Sequence, residues 1–433
     1  MKNSKLFTHK KILSILLAAA LLLSPAAPCG GTLNVGAKEE VKKTVELVVA
    51  KPVITDVSNE YKGLLVSWKQ ADNALGYYVF RRQKSSAPWE LQADLPGDTL
   101  SYLDKDAMKE GGIYTYMLKG YNGEILSEES APKTATRFPV SRVGINIKYA
   151  QKSARNMQKM INDFRTGKDT WLWNETNTKQ VYTYDLNKLA YDYKLEKIAM
   201  LRAAEIALKF NHERPNGRMC FSALDESDYN YTYAGENIAY GYKTAKAAFE
   251  AFQEVNEKYA GQGHRRNMLN PNYNVCAIGH AKVKGVHYWV QLFANTTDDS
   301  DYTKTVSTTK KVNMYISTDD LSSYKKTLKS LGAKISDYAP QKTSFVAIAG
   351  FKGKVVMAYN KAIGATGYEI YRSDKKKGGF KKVGTITSQL KLEYTDRKVS
   401  RKKKYYYYIV PYRVAHDERI YGKKSETKEV KTK

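Results

Sequence analysis

Residues 234–269 read AGENIAYGYKTAKAAFEAFQEVNEKYAGQGHRRNML and hold two carboxylate-or-histidine motifs around one amphipathic segment. Thr244 is a plausible N-cap, so a helix is predicted from there to about Tyr259, where Gly261 and Gly263 stop it. On that helix Ala248, Ala251, Phe252 and Val255 form an apolar stripe. At about 100° per residue Glu254 borders the stripe, whereas Glu257 points nearly opposite its centre. Glu254 is therefore the carboxylate expected to turn inward, with Glu257 as the alternative.

Working outward, Ser153 to Phe164 and Leu195 to Phe210 both show helical spacing. In the second, Leu195, Ile198, Ala199, Ala203, Ile206, Ala207 and Phe210 share a face with Arg202, whose charge requires a partner, and Glu205 one turn on is the expected one. Downstream, VCAIGHAKV (275–283) and VHYWVQLFA (286–294) read as strands around a Lys284-Gly285 turn, with His280 and His287 as packing or edge residues. Helices and strands thus alternate through the middle of the chain.

The whole chain has 433 residues, enough for about three domains. Its 71 basic against 44 acidic residues give a formal charge of +27, and aromatics at 12% with 34 tyrosines exclude a disordered chain. Three cysteines exclude a disulfide framework and a zinc-finger array. Lys2, Lys5, Lys10 and Lys11 precede the apolar run Ile12–Leu23 and then SPAAPCGG, the layout of a secretory signal peptide within residues 1–37. The run is too short to span a bilayer and none longer follows, so the mature chain is expected to be exported, without a transmembrane segment, from a Gram-positive-type bacterium, and held at a surface, if at all, noncovalently. Cys29 is a poor lipidation site after Pro28, which leaves Cys220 and Cys276 as the one candidate disulfide, with two buried thiols as the alternative.

Residues near 60–135 recur near 350–430 at an offset of 291, matching Gly76 with Gly367, Tyr77 with Tyr368, Arg81 with Arg372 and Tyr116 with Tyr407; a one-residue slip matches Asp104 with Asp396. Short alternating runs such as LLVSW, YYVFRR, YEIYRS and YYYYIV predict a small antiparallel sandwich in each copy. Both copies, 51–136 and 341–433, resemble the fibronectin type III family, with Trp68 as core aromatic and Tyr359 in its place in the second. The first copy has 10 basic and 12 acidic residues, net −2; the second has 24 and 8, net +16. That asymmetry points to an anionic cell-envelope polymer or lipid surface as partner of 341–433, and no nucleic-acid motif accompanies it.

Between the repeats, RAAE (202–205), HERPNG from His212, AGENIAYGY, GQGHRRNML and YWVQLF (288–293) follow in order. Residues 153–296 thereby resemble the CAP superfamily, also called SCP, in its bacterial exported branch. The resemblance implies a central three-layer α-β-α sandwich, hence an α+β chain with an all-β immunoglobulin-like sandwich on either side and a linker at 297–340 with short secondary structure. It also implies a cleft lined by His212, Glu236, Glu254 and His264. Two imidazoles and two carboxylates suit a divalent cation, zinc, calcium or magnesium, with His212 and His264 as ligands. Glu236 is the candidate base of a metal-assisted, peptidase-like hydrolase; the other reading is a cleft that binds a small apolar or envelope-derived ligand. No nucleophile is evident, Cys220 being a better half-cystine or buried thiol than a thiolate.

Overall fold

The computed structural model describes residues 47–183 and 186–433; the expected signal segment 1–37 and Cys29 lie outside the described residues. In the first repeat, period-two burial puts Leu64, Val66 and Trp68 of strand Gly63–Lys69 and Tyr77, Val79 and Arg81 of strand Gly76–Arg82 inward. One sheet orders Val53–Glu60, Gly63–Lys69 and Ser101–Asp104; the other orders Glu90–Pro96, Gly76–Arg82, Ile113–Asn122 and Ile125–Leu126. The second repeat has the same order, Phe345–Phe351, Lys354–Tyr359 and Glu393–Asp396 against Lys381–Ile386, Gly367–Ser373, Lys404–Ala415 and Glu418–Tyr421. Tyr359 takes the place of Trp68, each ring edge-on to the next strand's tyrosine, at 4.9 Å from Tyr368 and 5.5 Å from Tyr77 respectively.

The middle sheet runs Tyr233–Tyr240, Val286–Asn295, Val275–Val283, Val140–Tyr149, Thr309–Ser317, with Ala190–Tyr191 parallel to Val275–Cys276. Residues 297–340 are therefore not a linker: Thr309–Ser317 pairs antiparallel along Val140–Tyr149, and Lys334–Ser336 joins the same strand. The physical cause is apolar alternation at both strands, Val143, Ile145 and Ile147 against Met314 and Ile316, all buried in the main core. The Lys284-Gly285 turn has φ of 49° and 82°, the left-handed pair a two-residue hairpin needs.

Helix Tyr193–Ile206 begins at Asp192, whose carboxylate accepts from the Lys194 and Leu195 amides at 2.8 Å. It packs Leu195, Ile198, Ala199 and Ala203 with Ala277, Val290 and Leu292. It approaches so closely that a Cβ on Gly279 would lie 2.0 Å from the Ala199 carbonyl oxygen. Helices Gln151–Arg165 and Ala245–Phe252 pack Ala154, Met157, Phe249 and Phe252 with Cys276, Ile278, Trp289 and Phe293, the alternate residues of the same strands.

Two helix boundaries differ from expectation. The Leu195 helix ends at Ile206, and Phe210 lies beyond it, exposed, on Tyr240 at 4.7 Å. The Thr244 helix ends at Phe252 instead of Tyr259; its buried stripe is Ala245, Ala248, Phe249 and Phe252, and Val255 is exposed. Glu254 has φ +47°, a left-handed residue that turns the chain away.

Cys220 and Cys276 are not bonded to each other; both are free, buried thiols. Cys276 belongs to the core under Met157 and Phe252, whereas Cys220 lies beside Glu236, on the Ile238 side of its strand, so the sheet separates them. Burial pushes both thiols up to about 12. No helix among the described residues is long and apolar enough to cross a membrane.

Candidate functional site

The edge strand Tyr233–Tyr240 carries Glu236 and Asn237 side by side, and strand geometry sends them to opposite faces. On one face the Glu236 carboxylate meets Arg202, which donates from Nε at 2.7 Å and Nη2 at 3.0 Å. Arg202 Nη1 donates to Glu205 at 2.7 Å, and Arg214 in turn grips Glu205 through Nε and Nη2 and reaches Glu226 at 2.7 Å. The Arg202–Glu205 contact is the one the helix spacing predicts; Arg214 and Glu226, from the HERPNG turn and the segment after it, are not legible from spacing.

His212 completes this face, its Nδ1 2.9 Å from Glu236 Oε1. The turn behind it closes through the Arg214 amide to the Arg218 carbonyl at 2.7 Å and a left-handed Gly217, φ +84°. Burial alone would raise Glu236, but the His212 and Arg202 hydrogen bonds and the Arg202 charge outweigh it and hold the carboxyl below its ordinary value. It is an anion already spoken for.

On the other face His264 Nδ1 lies 2.6 Å from Glu254 Oε1. Glu254 Oε2 also accepts from the His264 and Arg265 amides at 2.9 and 3.2 Å, so the left-handed turn that ends one helix caps the next, Gly263–Met268. Glu257 does not make this contact; its carboxylate lies against Gly261. Asn237 on this face donates to the His264 carbonyl at 3.0 Å and to Gln291 at 2.8 Å. Asn267 donates to Asn237 Oδ1 at 2.9 Å and to the Glu236 carbonyl at 3.3 Å.

His212 and His264 therefore each pair with their own glutamate, and the two pairs are joined through asparagine side chains and one strand backbone. Among the described residues, the ligand-type cluster within 4.8 Å is His212, Cys220 and Glu236, which does not include His264. The histidine side chains keep 46% and 33% of their surface exposed, against 1% and 14% for their glutamates, and neither Nε2 has a hydrogen-bond partner among the described residues. Two residues before His212, exposed Phe210 packs on exposed Tyr240, whose ring stacks on half-buried Tyr288.

The neighbouring charges are structural. Arg265 donates to the Trp171 and Gln253 carbonyls at 2.7 Å between the Phe164 and Trp171 rings, and burial lowers it to about 10. Arg266 lies 4.2 Å over Tyr259 and donates to its carbonyl. His280 stacks on Trp289 at 3.6 Å and bonds His287 at 3.0 Å, inside the sheet and away from the cleft pairs.

Residues 158–293 match the sequence model of the Cysteine-rich secretory protein family, CAP. An uncharacterised protein of Bacillus subtilis (strain 168), YkwD, is 31% identical over 110 residues, 25% of this chain and 40% of that protein; the chain spans about two-fifths of that relative's length. An extracellular protein with an SCP domain from Bacillus anthracis str. Ames aligns over 55% of this chain and 84% of its own at 12% identity, TM-score 0.25. A Fn3-like protein from Clostridium thermocellum aligns over 22% of this chain and 93% of its own at 24% identity, TM-score 0.17. By the family model residues 158–293 are a CAP domain, carried in this chain beside fibronectin type III-like sandwiches.

Proposed function

We propose that this is an extracellular binding protein, not a hydrolase, in which His212 and His264, each held by its own glutamate beside the edge strand, are the residues that would take a divalent cation. The observation that carries the reading is that each imidazole holds Nδ1 within hydrogen-bond distance of its own carboxylate while its side chain stays a third to a half exposed. Metal-ligating histidines are commonly oriented by such a second carboxylate, which fixes the ring and its tautomer. Glu236 and Glu254 then act as orienting groups rather than ligands, and zinc is the cation that imidazole donors favour. Glu236 is a poor general base, because two hydrogen bonds and the Arg202 charge already hold it ionised. The cluster of His212, Cys220 and Glu236 suits a metal less well, since burial keeps the thiol protonated and Arg202 occupies the carboxylate.

The exposed rings of Phe210 and Tyr240 give the cleft an apolar flank for a small apolar or envelope-derived ligand, and the +16 of residues 341–433 favours retention at an anionic surface. Calorimetry with zinc is the test. The wild type should bind with an affinity that falls on acidification, since a protonated imidazole cannot ligate. His212→Ala and His264→Ala should each weaken binding at least about tenfold, a loss typical of removing a single metal-site partner. Isotherms unchanged by either substitution would remove the cation from the reading.

A further inference from the structure

A cavity of about 560 Å³ lies where the two sandwiches meet. Lys62 and Lys105 line it from the first sandwich and Lys342 and Lys423 from the second, with Tyr338 and Tyr421 between them. No carboxylate lines it. Among the described residues Lys62, Lys105 and Lys423 have no ion-pair partner, and Lys342 has only an exposed Glu426 at 3.8 Å.

Next to this cavity sits a fully buried arginine. Arg413 Nε donates to the carbonyl of the lining residue Tyr338 at 2.9 Å, its Nη1 and Nη2 have no hydrogen-bond partner, and its nearest carboxylate, on Asp337, stands 3.9 Å away. Arg137, also fully buried, feels that charge: burial first and Arg413 second lower it to about 10. Like charges that converge from two modules repel one another, and the repulsion is relieved when an anion binds among them.

We propose that this seam is a binding site for a chain of phosphate groups, built jointly by both sandwiches. The cavity has room for more than one phosphate, and ammonium groups act as point charges that suit a flexible polyanion. The proposal rests on the anionic-surface reading above but moves its centre. Half the lysines belong to the sandwich whose net charge is −2, which composition alone would exclude from the interaction.

The test is calorimetry of the full chain with sodium tripolyphosphate at low salt, with phosphatidylglycerol vesicles as a parallel arm. The wild type should bind tripolyphosphate, more weakly as salt rises. Lys62→Ala/Lys105→Ala should lose about tenfold in affinity, and Lys342→Ala/Lys423→Ala a similar factor. Lys375→Ala/Lys376→Ala/Lys377→Ala, exposed lysines off the cavity, should stay within about twofold of wild type. Insensitivity to Lys62 and Lys105, or an equal loss in the triple variant, would overturn the pocket and leave the general anionic retention standing. Vesicle binding without tripolyphosphate binding would overturn the phosphate-chain assignment. Absence of binding in both arms would overturn the pocket and the retention reading together.

Discussion

Replacing Arg202 by methionine keeps most of the side-chain volume and removes the guanidinium from a site with no access to water. Arg202 makes hydrogen bonds of 2.7 and 3.0 Å to Glu236, one of 2.7 Å to Glu205 and one of 3.0 Å to the Asn211 carbonyl. Glu205 keeps Arg214 in the variant, so the stranded group is Glu236, left with the half-exposed His212 imidazole and the Cys220 thiol and no cationic guanidinium. Removing one side of a buried ion pair costs about 3–5 kcal/mol, most of it the uncompensated charge that stays behind. Arg202→Met should therefore lose that amount near neutral pH. Arg202→Met/Glu236→Gln should recover part of it, because the amide carries no charge to desolvate. Urea unfolding read by tryptophan emission gives both numbers, since Trp171, Trp173 and Trp289 all lie in this domain. A loss under about 1 kcal/mol, or energies for the two substitutions that simply add, would refute the claim that Arg202 neutralises Glu236.

Three further outcomes follow from the buried groups. Burial, with His287 beside it, lowers His280 from 6.5 to about 4; the unfolded chain binds that proton first, so stability should fall by about 3 kcal/mol as pH drops between those values. Acid unfolding of His280→Gln should lack this component, and an identical pH profile would count against it. At the junction with the second sandwich, a hydrogen bond to Asp337 raises His416, while His416 and Ser141 hold Asp337 down against its own burial. The His416 contribution is complete below 6.5 and lost as pH rises through the raised value; that of Asp337 is complete above 3.8 and lost on acidification. His416→Ala should thus destabilise most between those two values, and a thermal-melt difference flat from acid to alkaline pH would contradict the pair. Finally, Cys220 and Cys276 should both label with a thiol reagent in unreduced, denatured protein and resist it when native, whereas resistance in both states would mean a disulfide after all.

The fold was legible in the sequence wherever burial imposes a strict period. The strands at 275–283 and 286–294 could be read as two apolar runs around one Lys-Gly turn, and the sandwiches from short alternating runs that recur at an offset of 291. Helix ends were less legible, because Phe210 and Val255 keep the apolar spacing of their helices after the backbone has left them. Glu254 shows the limit most clearly. Helical phase singled it out over Glu257, yet it is not on the helix at all; it reaches His264 because a left-handed turn swings it onto the next helix's N-terminus. Thr309–Ser317 could not be placed as a sheet strand from sequence, since its partner, Val140–Tyr149, lies some 170 residues away and no local signal records the pairing. Asn237, Asn267 and Arg214 carry no signal beyond their polarity; only the assembled edge shows the two asparagines joining the histidine–glutamate pairs and Arg214 holding Glu205 behind them.

The two sandwiches show which part of such a sequence is held fixed and which is free to specialise. In one, Arg81 and Tyr116 donate to the same Asp104 oxygen at 2.8 Å; in the other, Arg372 and Tyr407 donate to the same Asp396 oxygen at 2.8 and 3.0 Å. The one-residue slip between the copies falls so that this triad survives it. Both aspartates are buried, and a buried carboxylate that lost either donor would be left partly desolvated without compensation, so each copy keeps all three residues together. The core tryptophan is freer: tyrosine fills its place because what that position requires is ring volume against the neighbouring tyrosine. The surface is freer still, and net charge moves from −2 to +16 on one architecture. Both proposed binding sites lie on the layer the fold leaves unconstrained: half-exposed imidazoles beside one sheet edge, and exposed lysines at a seam lined by both sandwiches.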